Sequence, residues 1–130
     1  MYIKINGKNY APLIVGLTRK AKIQYSDNNG ENLDGSMTLD PKGTKIYYEI
    51  TIDSAYRDQA LLQSFWDEII KPRKEGFLFE APYNQTTLSF QAYIDDEISQ
   101  ALISAINNTN LWDKITLNIN PMNSQYSEVV

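Results

Sequence analysis

The chain has 130 residues, 42% hydrophobic and 22% charged, which predicts one globular domain and excludes disorder of the whole chain. Its net charge of −4 argues against phosphate-backbone binding as the main task, because that task needs a basic surface. Cysteine and histidine are both absent, so disulfides, thiolate chemistry and histidine bases or metal ligands are excluded. Without a long apolar run, we expect neither a transmembrane helix nor a signal peptide.

The first part of the chain has the pattern of short strands. Residues 2–5 and 8–10 flank Asn6 and Gly7, and Asn-Gly suits a type I′ hairpin turn because both central residues need positive φ. A short apolar run follows at 13–17. The next predicted elements are a strand at 19–25, a polar loop at 26–32 and a brief strand at 35–39.

The strand pattern is clearest at 44–52. Side chains alternate there between apolar and polar, which is typical of a strand with one buried face. The apolar face predicts a contribution to the core from every second residue. That face consists of Ile46, Tyr48, Ile50 and Ile52.

A broad apolar stripe then predicts one amphipathic helix at about 55–71. Asp53 or Ser54 is the expected N-cap, and Pro72 ends the helix. The stripe consists of Leu61, Leu62, Phe65, Trp66, Ile69 and Ile70. The basic residues after the helix, which are expected to interact with its C-terminal dipole, are Lys71, Arg73 and Lys74.

Strands return after the helix. The segment 97–106 fits a helix or a strand, and we favour a strand because short apolar segments beside a hairpin usually pair with it. The other predicted elements are strands at 77–81, 86–94 and 111–120, a turn at 83–85, a loop at 107–110, and a polar C-terminal tail at 123–130 after one domain at 1–122. The fold class is therefore α+β, mainly β: an antiparallel β-sandwich or open barrel with one amphipathic helix packed on the sheet.

A metal site is not expected. Residues 27–34 collect oxygen-bearing side chains, as a calcium loop does. An EF-hand loop that starts at Asp27 requires Gly at the place of Asn32 and Glu at the place of Thr38, so the pattern fails. A solvated turn is the better interpretation, and we expect no metal and no cofactor.

Acidic residues that could act as a general acid and base have simpler explanations. Asp95, Asp96 and Glu97 follow a strand directly, where the chain is expected to turn. Asp67 and Glu68 lie on the polar side of the predicted helix, where charge is ordinary. We therefore expect no catalytic carboxylate pair.

Hydroxyl nucleophiles are also disfavoured. With no histidine, only a lysine or a carboxylate could act as the base, and neither Ser-x-x-Lys nor Gly-x-Ser-x-Gly is present. No glycine-rich phosphate loop is present either. We expect no catalytic residue. The hydroxyl groups considered are those of Tyr25, Ser26, Ser36 and Thr38.

The aromatic residues point to structure and to protein interfaces. Trp66 lies in the helix stripe and Trp112 begins a predicted strand, so both are interpreted as structural. Exposed tyrosines suit protein interfaces or sugar stacking, and interfaces are the better interpretation. The tyrosines expected to be exposed are Tyr47, Tyr83, Tyr93 and Tyr126.

The order and spacing of these elements resemble small tail-module proteins encoded by phages and prophages of Gram-positive bacteria. The resemblance covers roughly residues 2–122, and each of its elements is degenerate alone. Its elements are residues 2–7, residues 32–37 followed by Asp40 and Gly43, the strand 47–52, the helix with Leu62, Phe65 and Trp66, the turn 81–83, and the strands 90–94 and 111–119.

The resemblance implies a non-enzymatic structural protein of the phage tail or baseplate. It implies a sandwich or barrel that carries one helix, subunits that join into rings, and contacts with other phage tail proteins. Such a protein is assembled in the cytoplasm of the bacterial host and resides in the virion tail. Neither nucleic-acid specificity nor membrane association is expected.

Two other functional classes stay open at this point. One is a stand-alone carbohydrate- or peptide-binding module that uses the exposed tyrosines, and it predicts a concave aromatic patch on a monomer. The other is a small hydrolase that acts through carboxylates alone, and it predicts two acids about 5–10 Å apart in a cleft.

Overall fold

The computed structural model of the chain describes residues 2–25, 30–31, 35–53, 59–107 and 109–127. Over these residues it contains one α-helix, α1 at Gln59–Ile69, and a short 3₁₀ turn at Ala11–Leu13. The described strands are β1 Lys4–Ile5, β2 Lys8–Asn9, β3 Ile14–Tyr25, β4 Gly30–Glu31, β5 Met37–Thr38, β6 Pro41–Ile52, β7 Phe77–Tyr83, β8 Thr86–Tyr93, β9 Leu102–Ile106, β10 Thr109–Trp112, β11 Ile115–Pro121 and β12 Tyr126–Ser127.

Most strands belong to one antiparallel sheet. Its hydrogen-bonded order is β12-β6-β11-β8-β7-β1-β2. β3 also belongs to this sheet and pairs with the other edge of β6. β9 and β10 form a separate two-stranded hairpin, as do β4 and β5. Among the described strands the path does not close, because β2 and β3 each have a partner on one side only. The predicted fold class is confirmed: the chain is α+β, mainly β, with an open antiparallel sheet and one helix.

Strand β6 is the centre of the sheet because both of its edges are occupied. β3 runs along one edge, from the Ile14–Ile52 pair to the Tyr25–Pro41 pair. Along the other edge, β11 covers residues 48–52 and β12 covers residues 43–44.

The side chain of Gln125 fills the gap between β11 and β12. Its Nε2 donates to the carbonyl of Ile46 and its Oε1 accepts from the Ile46 N–H, both at 2.8 Å. The Gln125 backbone N–H also donates to the carbonyl of Thr44. A side-chain carboxamide therefore substitutes for one strand pair and satisfies the backbone of the central strand.

Strand β11 bends the sheet into two packed halves. Residues 115–119 pair with β6, whereas Asn120 and Pro121 pair with β8. The halves meet at the buried ring of Tyr48, whose centroid lies 5.7 Å from that of Phe79 and 6.3 Å from that of Phe90. The Tyr48 hydroxyl donates to the carbonyl of Pro82 at 2.8 Å, so the polar end of this core residue is paired.

The predicted apolar faces form the core. The face of β6 and the middle of the helix stripe are buried, and the inward residues of β7 and β11 pack with them. Burial of this many large side chains supplies the main free energy of folding. The buried core side chains of these four elements include Ile46, Tyr48, Ile50 and Ile52 of β6, Leu62, Phe65 and Ile69 of α1, Phe77, Phe79 and Ala81 of β7, and Ile115, Leu117 and Ile119 of β11.

The first hairpin is confirmed with its turn type. Lys4 pairs with Asn9 and Ile5 with Lys8, which leaves a two-residue turn. The central residues have φ of 50° at Asn6 and 85° at Gly7, as a type I′ turn requires. Asparagine and glycine tolerate this left-handed region, so the local sequence is sufficient to set the turn.

The sequence predicts a short apolar run at 13–17 and a separate strand at 19–25, and this separation is wrong. The apolar run and the following strand are one continuous strand, β3, instead of two separate elements. A bulge interrupts its register, because Ile14 opposes Ile52 while Gly16 opposes Thr51, and Val15 is the extra residue. The bulge shifts the alternation of side chains near the start of the strand, and the pairing is regular through residue 18, where the sequence predicted a division.

In the region 97–121, the structure confirms one prediction from the sequence and shows that two others are wrong. β9 at Leu102–Ile106 bears out the favoured strand interpretation for that part of 97–106. The predicted loop at 107–110 is wrong, because Thr109 and Asn110 begin β10. The predicted single strand at 111–120 is wrong as well, because the chain leaves β9 after Trp112 and joins β6 at Ile115. Two different pairing partners divide one apolar run into two strands.

The described helix ends earlier than predicted, at Ile69. The last four carbonyls of a helix need donors from beyond the helix. For the Glu68 carbonyl, the regular donor would be the backbone N–H of residue 72. Pro72 has no N–H, and the Arg73 guanidinium donates to that carbonyl instead, at 3.0 Å from Nη1. The predicted helix start and the Ser54 cap lie outside the described residues. The other expected cap, Asp53, donates its N–H to the carbonyl of Leu13.

The predicted polar tail is part of the sheet over its described portion. Tyr126 and Ser127 form β12 and pair with Thr44 and Gly43 of β6. Together with the Gln125 side chain, these bonds attach residues 125–127 to the centre of the sheet.

Candidate functional site

The acidic residues considered above occupy surface positions. Asp95, Asp96 and Glu97 are exposed where the chain leaves β8, and Asp67 is exposed on α1. Glu68 differs because it is half-buried and makes several polar contacts. Those contacts give it a structural explanation.

Glu68 joins the end of α1 to the β1–β2 turn. The Asn6 side-chain amide donates to Glu68 Oε1, and Arg73 Nη2 lies 2.9 Å from the same oxygen. Lys71 Nζ lies 3.8 Å from Oε2. The Asn6 side-chain oxygen also accepts from the N–H of Leu78, so the turn is attached to β7 as well. Two of the three cations after the helix therefore neutralise Glu68.

We expect Glu68→Gln to lower the free energy of unfolding at neutral pH by about 1–2 kcal/mol, because Arg73 loses its charged acceptor. The Asn6 hydrogen bond holds the pKa of Glu68 below its ordinary value, against an opposing effect of partial burial, and Arg73 and Lys71 act in the same direction as Asn6. The carboxylate therefore stabilises the fold above its unfolded-state pKa, and this contribution disappears as pH falls through the lower folded-state pKa.

Urea unfolding at several pH values measures this effect. The difference between the wild type and Glu68→Gln should shrink at acidic pH. Asp67→Asn is the matched control, because Asp67 is an exposed neighbour whose side-chain contact within the described residues is a long one to Gln63, at 3.3 Å. A difference for Glu68→Gln that stays constant from neutral to acidic pH would contradict this account.

The hydroxyl residues considered as nucleophiles are only partly described. Tyr25 is exposed at the end of β3, and Ser36 is exposed before β5. Ser26 and the side chain of Thr38 lie outside the described part of the chain, as does most of the acidic loop at 27–34. In the ranges that the structure does describe, no group of three or more acidic, histidine or cysteine residues is placed to hold a metal ion.

The tyrosines expected on the surface have different surroundings. Tyr93 is 38% exposed at the end of β8. Tyr47 is half-buried beside Lys20 of β3. Tyr83 is half-buried because the Arg19 guanidinium covers its ring at 4.7 Å from the centroid. The prediction of an exposed side chain is thus confirmed for Tyr93 and wrong for Tyr47 and Tyr83. The side chain of Tyr126 lies outside the described part of the chain.

A free strand edge is the first candidate binding surface. β3 is 12 residues long and pairs with β6 along one edge only. Among the described residues nothing pairs with its other edge. Strands average about 5–6 residues, so this edge presents an unusually long row of backbone donors and acceptors.

The outer half of β3 also exposes an apolar face. Leu17 opposes Ile50 and Ala21 opposes Ile46, so both lie on the core side of the sheet. Ile23 follows on the same side, yet it is 52% exposed and Ala21 is exposed too. On this face Ala21 and Ile23 of β3 are therefore uncovered, although Ile46 opposite Ala21 is buried.

The β9–β10 hairpin is a second apolar projection. Leu102, Ile103 and Ile106 of β9 are all exposed. The hairpin pairs with no other described strand, and an isolated two-stranded hairpin is marginally stable in water. Its exposed aliphatic side chains make it a second surface suited to contact with another protein.

A cleft of about 660 Å³ lies between α1 and β10. Both tryptophans of the chain line it, Trp66 from the helix and Trp112 from the strand. Trp66 was interpreted as a core anchor, and it does pack against the core, but it is only half-buried and contributes to the cleft wall. The carboxamides that line the cleft are those of Gln59, Gln63, Gln100 and Asn110.

Hydrogen bonds hold one wall of the cleft in place. The indole N–H of Trp66 donates to Gln100 Oε1 at 2.8 Å. Gln100 Nε2 donates to the carbonyl of Asp113 at 2.5 Å, and the Asp113 N–H donates to the carbonyl of Ala101. This chain of bonds links the helix to the base of the β9–β10 hairpin. A single sequence gives no signal that Trp66 and Trp112 share a cleft.

Comparison with protein-family models, with curated protein sequences and with solved structures finds no match to this chain. Within the described residues, no helix has both the length and the apolar character needed to cross a membrane.

Proposed function

We propose that this chain is a structural subunit of a phage tail or baseplate, which acts by assembling with copies of itself and with neighbouring tail proteins. The observation that carries the proposal is the free edge of β3. An edge of 12 residues is a liability for a monomer, because it can recruit any other exposed strand. In an assembly the same edge supplies a regular row of hydrogen bonds to a neighbour.

Assembly into a ring requires β3 to meet a different surface of the next copy. Pairing of β3 with a different edge of the next copy is a heterologous contact, and repetition of such a contact gives a closed ring when the rotation closes. The exposed side chains of Ala21 and Ile23 support this arrangement, because side chains of a paired neighbouring strand would contact both and remove part of their surface from water. The exposed β9–β10 hairpin offers a further contact to a neighbour.

The resemblance to phage tail-module proteins supports the proposed location. On this proposal the subunit is made in the cytoplasm of the bacterial host and ends in the virion tail. Its activity is assembly, and its partners are further copies of the chain and other tail proteins.

Light scattering over a wide range of protein concentration tests the proposal. We expect the mass of the wild type to rise with concentration to that of a closed oligomer. Ile23→Glu should weaken assembly by about tenfold or more, since it places a charge in the proposed contact. Ile70→Glu is the matched control, because Ile70 is exposed to almost the same degree, 54% against 52%, and lies just after α1 instead of on β3.

Both variants should unfold with nearly the wild-type free energy, because each replaced side chain is exposed. A wild type that stays monomeric at every concentration would contradict the proposal. Equal weakening of assembly by Ile23→Glu and Ile70→Glu would place the contact elsewhere and so contradict the role of β3.

A further inference from the structure

We infer that the cleft between α1 and β10 binds a neutral saccharide through Trp66 and Trp112. This inference does not rest on the β3 edge that carries the proposed assembly, although β10 belongs both to the cleft and to the exposed hairpin. The cleft volume of about 660 Å³ is within the range of small-molecule sites, roughly 300–1,000 Å³.

The charge of the lining selects a neutral ligand. Every described residue that lines the cleft is uncharged: the two tryptophans, four carboxamides, Leu62 and Thr109. A charged ligand would lose hydration there without gaining a counter-charge from these described residues. A neutral ligand incurs no such penalty.

The mixture of aromatic rings and carboxamides in the cleft lining selects a ligand with both polar and apolar surfaces. A purely hydrophobic ligand would leave the carboxamide of Asn110 without a partner when it excluded water. Sugar hydroxyls can donate to and accept from carboxamides. The C–H groups of a sugar ring carry slight positive charge, and the faces of indole rings carry negative charge, so the two attract each other.

The cleft is partly preorganised for such a ligand. The bond from Trp66 to Gln100 and the bond from Gln100 to Asp113 fix the indole of Trp66 against the base of the hairpin. A fixed aromatic wall loses little conformational entropy when the ligand binds. Asn110, by contrast, is exposed, and among the described residues its side chain makes no hydrogen bond, which leaves its carboxamide ready to contact a ligand.

The helix wall of this cleft does not favour an extended peptide. Extended peptides commonly add to a strand edge and obtain affinity from main-chain hydrogen bonds. One wall of the cleft is the helix α1, where Leu62, Gln63 and Trp66 lie, and the backbone groups in the middle of a helix are already paired. The polar groups offered from this wall are side-chain carboxamides, which match hydroxyl groups.

Intrinsic tryptophan fluorescence of the full chain tests the inference, because the only two tryptophans both line the cleft. The probes are two neutral trisaccharides, maltotriose and chitotriose, and one anionic trisaccharide, trigalacturonic acid. We expect a saturable change in emission with at least one neutral trisaccharide, and no saturable change with the anionic one.

Asn110→Leu should weaken this binding by about tenfold, the factor that one lost hydrogen bond to a desolvated partner produces. Asn123→Leu is the matched control, because Asn123 is another exposed asparagine and lies outside the cleft lining. Far-ultraviolet circular dichroism checks that both variants fold. Binding should be unchanged in Asn123→Leu.

Three outcomes would overturn the inference. The first is a folded wild type whose emission responds to neither neutral trisaccharide, with calorimetry also showing no heat of binding. The second is equal binding in Asn110→Leu and in Asn123→Leu. The third is a saturable response of equal size to the neutral and to the anionic trisaccharides, which would show that the cleft does not select a neutral ligand. The mass measured by light scattering is separate from these readouts, so failure here leaves the assembly proposal standing.

Discussion

Gly76→Ala should lower the free energy of unfolding by about 3–5 kcal/mol, through backbone strain and steric overlap together. Gly76 has φ of 69°, a left-handed conformation that alanine adopts at a cost. A Cβ at this position would lie 2.0 Å from the carbonyl oxygen of Ala92 and 3.2 Å from the sulfur of Met122. The Ala92 oxygen is part of the β8 backbone, so it cannot move without disturbing the sheet at the start of β7.

Gly7→Ala is the matched control for Gly76→Ala. Gly7 also has positive φ, 85°, but a Cβ there would meet no heavy atom within 4 Å. Only the conformational strain of about 1–2 kcal/mol should remain. Chemical denaturation followed by circular dichroism measures both variants. Equal losses at the two positions would show that the close approach of Gly76 to β8 does not exist in solution.

Phe65→Ala should lower the free energy of unfolding by about 3–5 kcal/mol, the usual range for removal of a buried phenylalanine ring. Phe65 is fully buried in the middle of α1. Its ring meets that of Tyr10 edge-to-face, with centroids 5.4 Å apart and planes at 75°. The substitution therefore removes both apolar burial and an aromatic contact between the helix and the N-terminal segment of the chain.

Ile70→Ala provides the comparison on the same helical stripe. Ile70 follows the last residue of α1 and is largely exposed, so its truncation should change stability by no more than about 0.5 kcal/mol. Thermal and urea unfolding of both variants measure the contrast. If Phe65→Ala were as mild as Ile70→Ala, the helix could not be packed on the sheet as described.

The elements that the sequence predicts well are those whose cause is local. The Asn6-Gly7 turn depends on the φ preferences of two adjacent residues. The inward face of β6 depends on alternation within one strand, and the buried middle of α1 on a spacing of three and four. In each case a few neighbouring residues contain the whole physical reason.

The parts that the sequence does not predict depend on distant partners. The bulge at Val15 is defined only by its register against β6. Gln125 completes the β6 ladder across a separation of 79 residues. The division at Trp112 exists because β10 and β11 pair with different strands. A single sequence contains no record of which segments pair, so these features follow from tertiary structure alone.

The candidate binding surfaces also depend on distant partners, so the sequence alone does not predict them. Alternation at 19–25 predicts a strand, but its free edge and the exposure of Ile23 follow from the sheet order. The apolar stripe places Trp66 toward the core, and that placement is correct in part. Its proximity to Trp112 arises only because the β9–β10 hairpin folds back near the helix. Local patterns therefore identify the elements, and the packing of those elements creates the surfaces.

Hydrogen–deuterium exchange at low and high protein concentration tests most directly the claim that this chain assembles through β3. The backbone amides of β3 that point away from β6 are unpaired within the described fold, so in a monomer they should exchange rapidly. We expect them to become protected as the mass measured by light scattering rises, while the paired amides of β6 remain protected throughout. Exchange of the β3 amides that stays equally rapid while the mass rises, or a mass that never rises, would contradict the account.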